Sequence, residues 1–363
     1  MNLPEERMDL KQKLKKPSQK DKDNTSYKLA LFSANIKKFL PHIDKSEYSK
    51  LFKEYLYFYW MSGSEQYCMK YLKTTKIINY STIDLKSLEY EHPLIFSSFH
   101  FGSFRLFNSL LFELGHKIVI IIDDTIVKKQ KDDLLHNVKP MLTAKEGSDF
   151  VILSVQDRSS IFRLKQLISE GYIMSVYLDG NIGIDMKKQD FSKGYITINF
   201  LKQEIYVKNG ISKLAALLNA KIVPVISFRD NEENSTIEFH SEIGTEKYND
   251  KQDFIINAIR DSYKILEDKI YEHPTQWTSW LTLQNLFMRN YTTTYNQNDT
   301  IHNKFNNERY TLFVINESHF LFDLLDYKSY PIHKELAIAI SNNNFNKIDN
   351  NLHLELQQKN III

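Results

Sequence analysis

The sequence predicts an α/β protein with a sheet flanked by helices, an N-terminal helical segment and a small C-terminal α+β appendage. From residue 93 to residue 271, short β-branched runs alternate with stretches whose apolar residues recur at helical spacing. Hydrophobic residues make up 42% of the chain and charged residues 25%, fractions that are typical of a globular protein. The 363 residues allow one large domain with an appendage, or two domains.

The first predicted elements are a tail and a helical segment. Residues 1–26 are expected to form a flexible tail, because Met1–Asp23 is a charged run that contains Pro4 and Pro17. Tyr27–Leu72 has a helical pattern rich in aromatic residues. These aromatic side chains either pack on the main domain or touch a membrane surface.

The main domain is predicted to occupy residues 27–290, with its sheet beginning near residue 93. Its first strand, Leu94–Phe99, runs into the turn His100–Ser103, and Gly115 fits the C-terminal cap of the helix that follows. In sheets of this kind, ligands bind beyond the carboxyl ends of the strands. The other elements are predicted in this order: helix Phe104–Leu114, strand Ile118–Ile122, helix and loop Lys128–Gly147, strand Phe150–Leu153, helix Ser159–Ser169, strand Ile173–Leu178, helix Asn209–Leu218, strand Lys221–Ser227 and helix Phe254–Tyr271.

Charge, cysteine count and hydropathy exclude several classes of protein. The chain has 47 Lys and Arg against 45 Asp and Glu, so a net charge of +2 gives no overall basic surface for nucleic acid. Cys68 is the single cysteine, which excludes an intramolecular disulfide and a multi-cysteine zinc site and fits a reducing cytoplasm. No window has the roughly 18 apolar residues that cross a bilayer. The longest apolar run, Lys117–Asp123, is short and predicts a buried strand.

His100 is the first candidate for a catalytic side chain. It follows a strand and precedes a helix, on a turn that contains Gly102, which places its imidazole at the carboxyl edge of the sheet. A neutral histidine there can take a proton from a hydroxyl or an amine at neutral pH. The alternative is a structural histidine that is hydrogen-bonded at the end of a strand.

Four segments, read together, resemble the late lipid A acyltransferases and their soluble relatives. The segments are Phe99–Arg105, with the sequence Phe-His-Phe-Gly-Ser-Phe-Arg, then Leu167–Asp179, then Asn209–Val225 with Arg229 just beyond, and finally His273–Trp277 followed by Trp280. They occur in the family's order and cover about residues 90–288. The resemblance carries more weight than any one of these motifs, because each is short.

The resemblance implies an acyltransferase. His100 would deprotonate an acceptor hydroxyl or amine, which would attack a thioester on coenzyme A or on the phosphopantetheine of an acyl- or peptidyl-carrier protein. Such a transfer needs no metal and no bound cofactor, because the acyl thioester is a co-substrate. Family members that act at membranes carry a hydrophobic N-terminal anchor, which is absent from this sequence. We therefore expect a cytoplasmic enzyme of specialised metabolite or peptide biosynthesis, whose contact with a membrane is peripheral at most.

The sequence departs from the family pattern at Arg105. The family has Asp or Glu five residues after the histidine, and a cation there cannot accept the imidazole N–H. Three interpretations remain open. Another carboxylate, with Asp179 the best candidate, or a backbone carbonyl orients His100; or Arg105 grips a substrate phosphate or carboxylate; or the chain has lost transfer activity and binds an acyl or peptidyl group.

Other candidate residues have a functional and an ordinary interpretation. Phe101, Gly102 and Ser103 are expected to contact substrate as parts of the histidine motif, and Asn181 as part of the polar turn after Asp179. Lys208 precedes a helix whose backbone N–H groups could meet an anion, or it is a surface lysine. Arg229 binds a pantetheine phosphate or forms a salt bridge. Asp123 and Asp124 are acid–base groups or the solvated end of a strand.

The C-terminal appendage is predicted to begin after a polar linker, residues 291–307. Residues 308–363 are predicted to form a strand (Glu308–Asn316) and two helices (Glu317–Leu325 and Ile332–Ile340). This order weakly resembles the winged-helix modules that bind leader peptides, which implies a peptide substrate captured by an exposed strand edge. The alternative is a cap on the main domain.

Two other functions remain compatible with the sequence. A non-catalytic homologue would bind a carrier or a peptide, and Arg105 favours that alternative. A thioester hydrolase would use water in place of the acceptor, so the mass of its product would distinguish it from a transferase.

Overall fold

The computed structural model describes residues 3–16, 18–65, 69–80, 93–122, 149–154, 159–180, 190–288, 303–346 and 348–363. The strands are β1 (Lys76–Ile78), β2 (Leu94–Ser98), β3 (Lys117–Ile122), β4 (Asp149–Ser154), β5 (Tyr172–Tyr177), β6 (Tyr195–Phe200), β7 (Gln203–Lys208), β8 (Lys221–Arg229), β9 (Ser235–Phe239), β10 (Tyr310–Ile315), β11 (Ser318–Asp323) and β12 (Lys328–Ile332). The helices are α1 (Leu3–Lys15), α2 (Gln19–Phe39), α3 (Tyr48–Glu65), α4 (Met69–Lys73), α5 (Arg105–Glu113), α6 (Ser160–Ser169), α7 (Gly210–Leu218), α8 (Lys251–Glu272), α9 (Lys334–Ser341) and α10 (Asn350–Gln358).

A mostly parallel sheet with the strand order β1-β9-β8-β2-β5-β3-β4 forms the centre of the protein. Strand β2 is parallel to both neighbours, β5 and β8, and every one of its residues is buried, as expected where helices cover both faces. Ile95 packs into a core that includes α2, α7 and α8. Leu94 and Phe96 point the other way, into a core with α3, α4 and α5. The predicted α/β class with flanking helices is therefore confirmed.

The N-terminal region is helical from residue 3, where a flexible tail was expected. Ser18 caps α2, because its hydroxyl accepts the N–H of Asp21 at 3.2 Å, and the Asp21 side chain accepts the N–H of Ser18 in return. In α1, Nζ of Lys11 lies 2.6 Å from Oε1 of Glu233, and Arg7 donates to the Glu233 carbonyl at 2.8 Å. Helix α1 is thereby attached to the turn after β8.

The aromatic segment is divided into separate helices, not one. Helix α2 ends at Phe39, and Pro41 follows, which lacks an N–H and disfavours a helical residue before it. Of the aromatic residues in α3, Tyr55, Tyr57 and Phe58 are buried in the two cores. Packing on the main domain is therefore the correct alternative for these side chains. Within the described ranges, none of the helices combines the length and the apolar character needed to cross a bilayer.

An antiparallel hairpin, β6–β7, was not predicted. Its two turn residues, Leu201 and Lys202, have φ angles of +50° and +61°, which replace the Asn-Gly sequence that usually announces such a turn. The alternation of buried Ile205 and Val207 with more exposed neighbours was the available signal. The hairpin places the end of β7 beside the carboxyl edge of the main sheet.

The C-terminal module, residues 303–363, contains three antiparallel strands followed by α9 and α10. The predicted first strand and the helix near Ile332–Ile340 are present, but the predicted helix Glu317–Leu325 is wrong, because this segment is mainly β11. Asn316 and Glu317 have φ angles of +46° and +66°, so the chain reverses in a two-residue hairpin turn. Asp123, Asp124, Asn181, Cys68, Lys128–Gly147 and most of the predicted linker lie outside the described residues.

Candidate active site

Two side chains meet at the carboxyl edge of the sheet because of the register between β2 and β5. These neighbouring strands are parallel, and Ser98 lies opposite Tyr177. His100 comes two residues after Ser98, and Asp179 comes two residues after Tyr177. The register therefore places both residues at the same level beyond the strand ends, where ligands bind in such sheets.

The imidazole of His100 is hydrogen-bonded to the carboxylate of Asp179. The His100 Nδ1 atom lies 2.8 Å from Asp179 Oδ1. The backbone N–H of His100 donates to both oxygens of the same carboxylate, at 3.1 and 3.2 Å. Because an ionised carboxylate only accepts hydrogen bonds, Nδ1 carries the proton, and the lone pair of the neutral ring is on Nε2. Nε2 is therefore the atom that can take a proton from a substrate.

Asp179 is held by two further donors. Nε1 of Trp277 donates at 2.8 Å and Oγ of Ser279 at 3.0 Å, both to Oδ2. The Asp179 side chain is 1% exposed, and burial alone would raise the pKa of its carboxyl. The charge of His100 and the hydrogen bonds from His100 and Trp277 outweigh burial and hold this pKa below its ordinary value. The ionised carboxylate can then stabilise an imidazolium.

Aromatic rings fix the plane of the imidazole. The ring of Tyr177 is stacked on His100 at 4.5 Å between centroids, and the edge of Phe104 approaches it at 4.9 Å. The Tyr177 hydroxyl donates to the Phe104 carbonyl at 3.2 Å, and burial raises the pKa of this hydroxyl, so it stays protonated. A quarter of the His100 side chain (25%) is exposed, so the imidazole is not sealed in the interior.

The turn that carries His100 is bound to the segment 276–281, which we call the strap. The N–H of Gly102 donates to the carbonyl of Gln276, and the N–H of Thr278 donates to the carbonyl of His100, both at 2.9 Å. Gly102 has a φ of +53°, and a Cβ there would lie 2.7 Å from Oε1 of Gln276. Positive φ and this close approach both require glycine.

Two other residues of the histidine motif lie in the interior. Phe101 is buried and pairs with Trp277 of the strap in an isolated antiparallel bridge. Ser103 is also buried, and its hydroxyl donates to Oγ of Ser235 at 2.8 Å. Both side chains are packed in the interior, where they stabilise the turn. Their expected contact with a substrate stays a prediction.

Arg105 begins α5 beside Phe104 and Tyr177 of the site. Its guanidinium carbon lies 4.9 Å from the centroid of the Phe104 ring, on which it packs as a cation. Its charge also lowers the pKa of Tyr177, although burial of that hydroxyl outweighs this effect. The carboxylate that is hydrogen-bonded to Nδ1 of His100 belongs to Asp179. This contact fits the interpretation in which a carboxylate from elsewhere in the chain, and not residue 105, orients the imidazole.

Lys208 lies near the pair formed by His100 and Asp179, whereas Arg229 does not face this pair. Lys208 and Asp179 line the same small cavity, whose volume is about 20 Å³. Arg229 is buried in a close ion pair with the buried carboxylate of Glu65. The structure therefore shows the salt bridge that was the alternative for Arg229, and the role as a phosphate ligand stays a prediction. Asn181, another candidate for substrate contact, lies outside the described residues.

Sequence analysis gave no role to several residues of this site. In the sequence, Trp277 is only the end of a motif. Ser279 carries no local signal, because its contact with Asp179 joins segments that are far apart in the chain. Tyr177 could have been found, since it is the last residue of β5 and lies two residues before Asp179 in the sequence.

A comparison with models of protein families gives a match over the site. A family model described as bacterial lipid A biosynthesis acyltransferase matches residues 69–288, which is more than half of the chain. A search of curated proteins found no match. The matched residues include the sheet, the turn of His100, Asp179 and the strap.

Proposed function

Since the chain belongs to the bacterial lipid A biosynthesis acyltransferase family and is therefore an acyltransferase, we propose that His100 is the general base of its reaction. The observation that carries this proposal is the hydrogen bond of 2.8 Å between His100 Nδ1 and Asp179 Oδ1, which leaves Nε2 to accept a proton. The partial exposure of the imidazole supports the same role, because a base must reach its substrate.

The proposed reaction moves an acyl or peptidyl group from a thioester to an amine or a hydroxyl. The oxygen or nitrogen of the acceptor bonds to the carbonyl carbon of the thioester, and Nε2 of His100 takes the proton that this atom loses. Asp179 stabilises the imidazolium that results. The carbon–sulfur bond then breaks, and the imidazolium returns the proton to the leaving thiolate. The products are the acylated acceptor and a free thiol.

The proposed donor is coenzyme A or a carrier protein, both of which present a phosphopantetheine arm and are used in the cytoplasm. Arg105 beside the imidazole and Lys208 near Asp179 are the cations that we propose for an anionic group of donor or acceptor. Arg105→Gln and Lys208→Gln should raise the KM of the anionic substrate about tenfold and change kcat little. Lys213→Gln, an exposed cation on α7, is the control. Unchanged KM values in both variants would remove these two contacts from the proposal.

A peptidyl group is the second part of the proposed substrate range. Residues 328–331 of β12 are exposed, and β12 pairs with β11 on one side, so the described structure offers an edge to an extended peptide. Transfer rates from carrier-bound peptidyl and carrier-bound fatty acyl groups, measured side by side, test this. A preference for the peptidyl donor supports a peptide substrate, and a preference for the fatty acyl donor contradicts it.

Replacement of His100 tests the catalytic proposal. We expect His100→Ala to lower the rate of thiol release from an acyl thioester in the presence of acceptor by roughly 10²–10⁴-fold. His42→Ala is the control, because His42 is an exposed histidine on the loop after α2. Transfer by His100→Ala at the wild-type rate would contradict the role. Mass spectrometry of the product separates acyl transfer from hydrolysis, and the absence of both products would favour a binding protein.

A further inference from the structure

The C-terminal module lies against α2, the helix that also contacts the strap. The hydroxyl of Ser26 donates to the carbonyl of Val314 in β10 at 2.5 Å. The ring of Tyr27 lies 5.4 Å from that of Phe313 and 6.0 Å from that of Phe322, between centroids. Helix α2 is therefore packed between the module and the main domain.

One side chain of the module, that of Tyr327, is buried between the module and α2. Tyr327 is 1% exposed, and its hydroxyl donates to Oδ1 of Asn35 in α2 at 3.0 Å. Its φ of +56° is unfavourable for a bulky residue, so the surrounding structure must hold it. Asp323 does so: its carbonyl accepts the N–H of Tyr327 at 2.9 Å, and its side chain accepts the N–H of Leu325 and is ion-paired with Arg309.

Asn35 is also hydrogen-bonded to the strap. Its side chain is fully buried, and Nδ2 donates to the carbonyl of Trp280 at 2.6 Å and to Oε1 of Gln284 at 3.1 Å. The Tyr327 hydroxyl and the Trp280 carbonyl therefore bind opposite ends of one amide. Because both ends are used, the amide orientation depends on both partners.

The strap connects Asn35 to the catalytic pair. Ser279, the residue before Trp280, donates to Oδ2 of Asp179 at 3.0 Å. The N–H of Thr278 donates to the carbonyl of His100 at 2.9 Å. The hydrogen-bonded path therefore runs from Tyr327 through Asn35 and the strap to both members of the pair.

We propose that Tyr327 and Asn35 are positioning residues of the transfer reaction, through which the C-terminal module sets the place of Asp179 beside His100. The proposal rests on the proposed function of the pair. A hydrogen-bonded and packed path of this kind transmits a displacement because each group in it has few alternative positions. The module is then required for the rate of the reaction as well as for stability.

Removal of one hydroxyl tests the path, with a matched control in the same module. Tyr327→Phe keeps the ring and removes the donor to Asn35. Tyr310→Phe is the control, because the buried Tyr310 also donates one hydrogen bond, to the carbonyl of Lys359 at 2.7 Å, within the module. Both variants lose one hydrogen bond, so we expect similar falls in Tm. Only Tyr327→Phe should lower kcat, by about tenfold, with an unchanged KM for the donor.

Two further measurements separate positioning from a structural effect. In the Asp179→Asn background, Tyr327→Phe should lower kcat by a smaller factor than in the wild type, because one branch of the path ends at Asp179. Hydrogen exchange of the peptide covering 276–285 should be faster in Tyr327→Phe than in Tyr310→Phe, and this readout needs no substrate. Equal kcat and equal exchange in the two variants would overturn the proposal. If His100→Ala also keeps wild-type activity, the proposed function fails as well; if His100→Ala is impaired, only the positioning role fails.

Discussion

At the scale of single residues, the candidate site pairs a histidine with a carboxylate that lies 79 positions further along the chain. Arg105, where the resemblance led us to expect an acid, packs on Phe104. Asp179, which follows a neighbouring strand, supplies the acceptor for Nδ1. The tautomer of a histidine is fixed by the hydrogen bond that its ring makes, whatever the chain position of the partner, so Asp179 can orient His100 for the base function that we propose.

Asp179→Asn should lower kcat by roughly 10²–10⁴-fold and leave the KM of the donor nearly unchanged. Asparagine retains the shape of the carboxylate but loses the charge that stabilises an imidazolium, and its amide can favour the wrong tautomer of His100. Because the pKa of Asp179 lies below its ordinary value, the wild-type carboxylate is ionised throughout the neutral range, and the difference should persist from pH 6 to pH 8. Steady-state kinetics at several pH values measure it. Asp268→Asn, an exposed position on α8, is the control, and equal rates for both variants would contradict the role of Asp179.

At the scale of elements, the site depends on a strand register and a turn. The pairing of Ser98 with Tyr177 brings the ends of β2 and β5 level, and the strap then fixes the turn of His100 from beneath. A Cβ at Gly102 would lie 2.7 Å from Oε1 of Gln276 in the strap and from backbone atoms of Ser227 and Phe228 in β8, so this position has no room for a side chain. The conformation of this turn is therefore set by a contact that is distant in sequence.

Gly102→Ala should destabilise the protein by more than about 2 kcal/mol, because alanine is strained at positive φ and its Cβ would overlap Gln276. Activity should fall in parallel as the turn moves. Gly63→Ala is the matched control: Gly63 lies in α3 with nothing within 4 Å of its Cβ position, and this change should stabilise α3 by about 0.5–1 kcal/mol. Urea unfolding of both variants measures the difference. Equal free energies of unfolding would show that the turn tolerates a side chain.

At the scale of the whole molecule, helices outside the sheet are joined to it by buried polar contacts. Glu65 at the end of α3 pairs with Arg229 at the end of β8, and both side chains are buried. Asn35 of α2 joins the strap to the C-terminal module. The N-terminal helices are therefore part of the same folded unit as the sheet, and they carry contacts on which the site depends.

Glu65→Gln should lower the free energy of unfolding by about 3–5 kcal/mol, because it leaves the charge of Arg229 buried without its counter-ion. Glu47→Gln provides the comparison, since Glu47 is 48% exposed and its ion pair with Lys50, at 3.2 Å, should contribute no more than about 1 kcal/mol. Chemical denaturation of the two variants gives both values. A cost below 1 kcal/mol for Glu65→Gln would mean that the pair is not important for stability.

The sequence by itself determined five of the seven strands of the main sheet and the candidate base. β-branched runs, helical spacing and glycine caps are local signals, and they located most of β2, β3, β4, β5 and β8 and placed His100 at the end of a strand. Local signals failed where a turn used unusual residues, as at Leu201 and in β11, and where Ser18 capped a helix within an apparent tail.

Only the tertiary structure decided which carboxylate serves His100. Strand β5 follows β3 and β4 in the chain but lies beside β2 in the sheet, and this order brings Asp179 to the imidazole. The order of strands depends on the packing of the whole chain, whereas local patterns report only the conformation of a few neighbouring residues. The same reason hid Ser279, Glu65 and the contact of Tyr327 with Asn35, because each joins segments that are far apart in sequence.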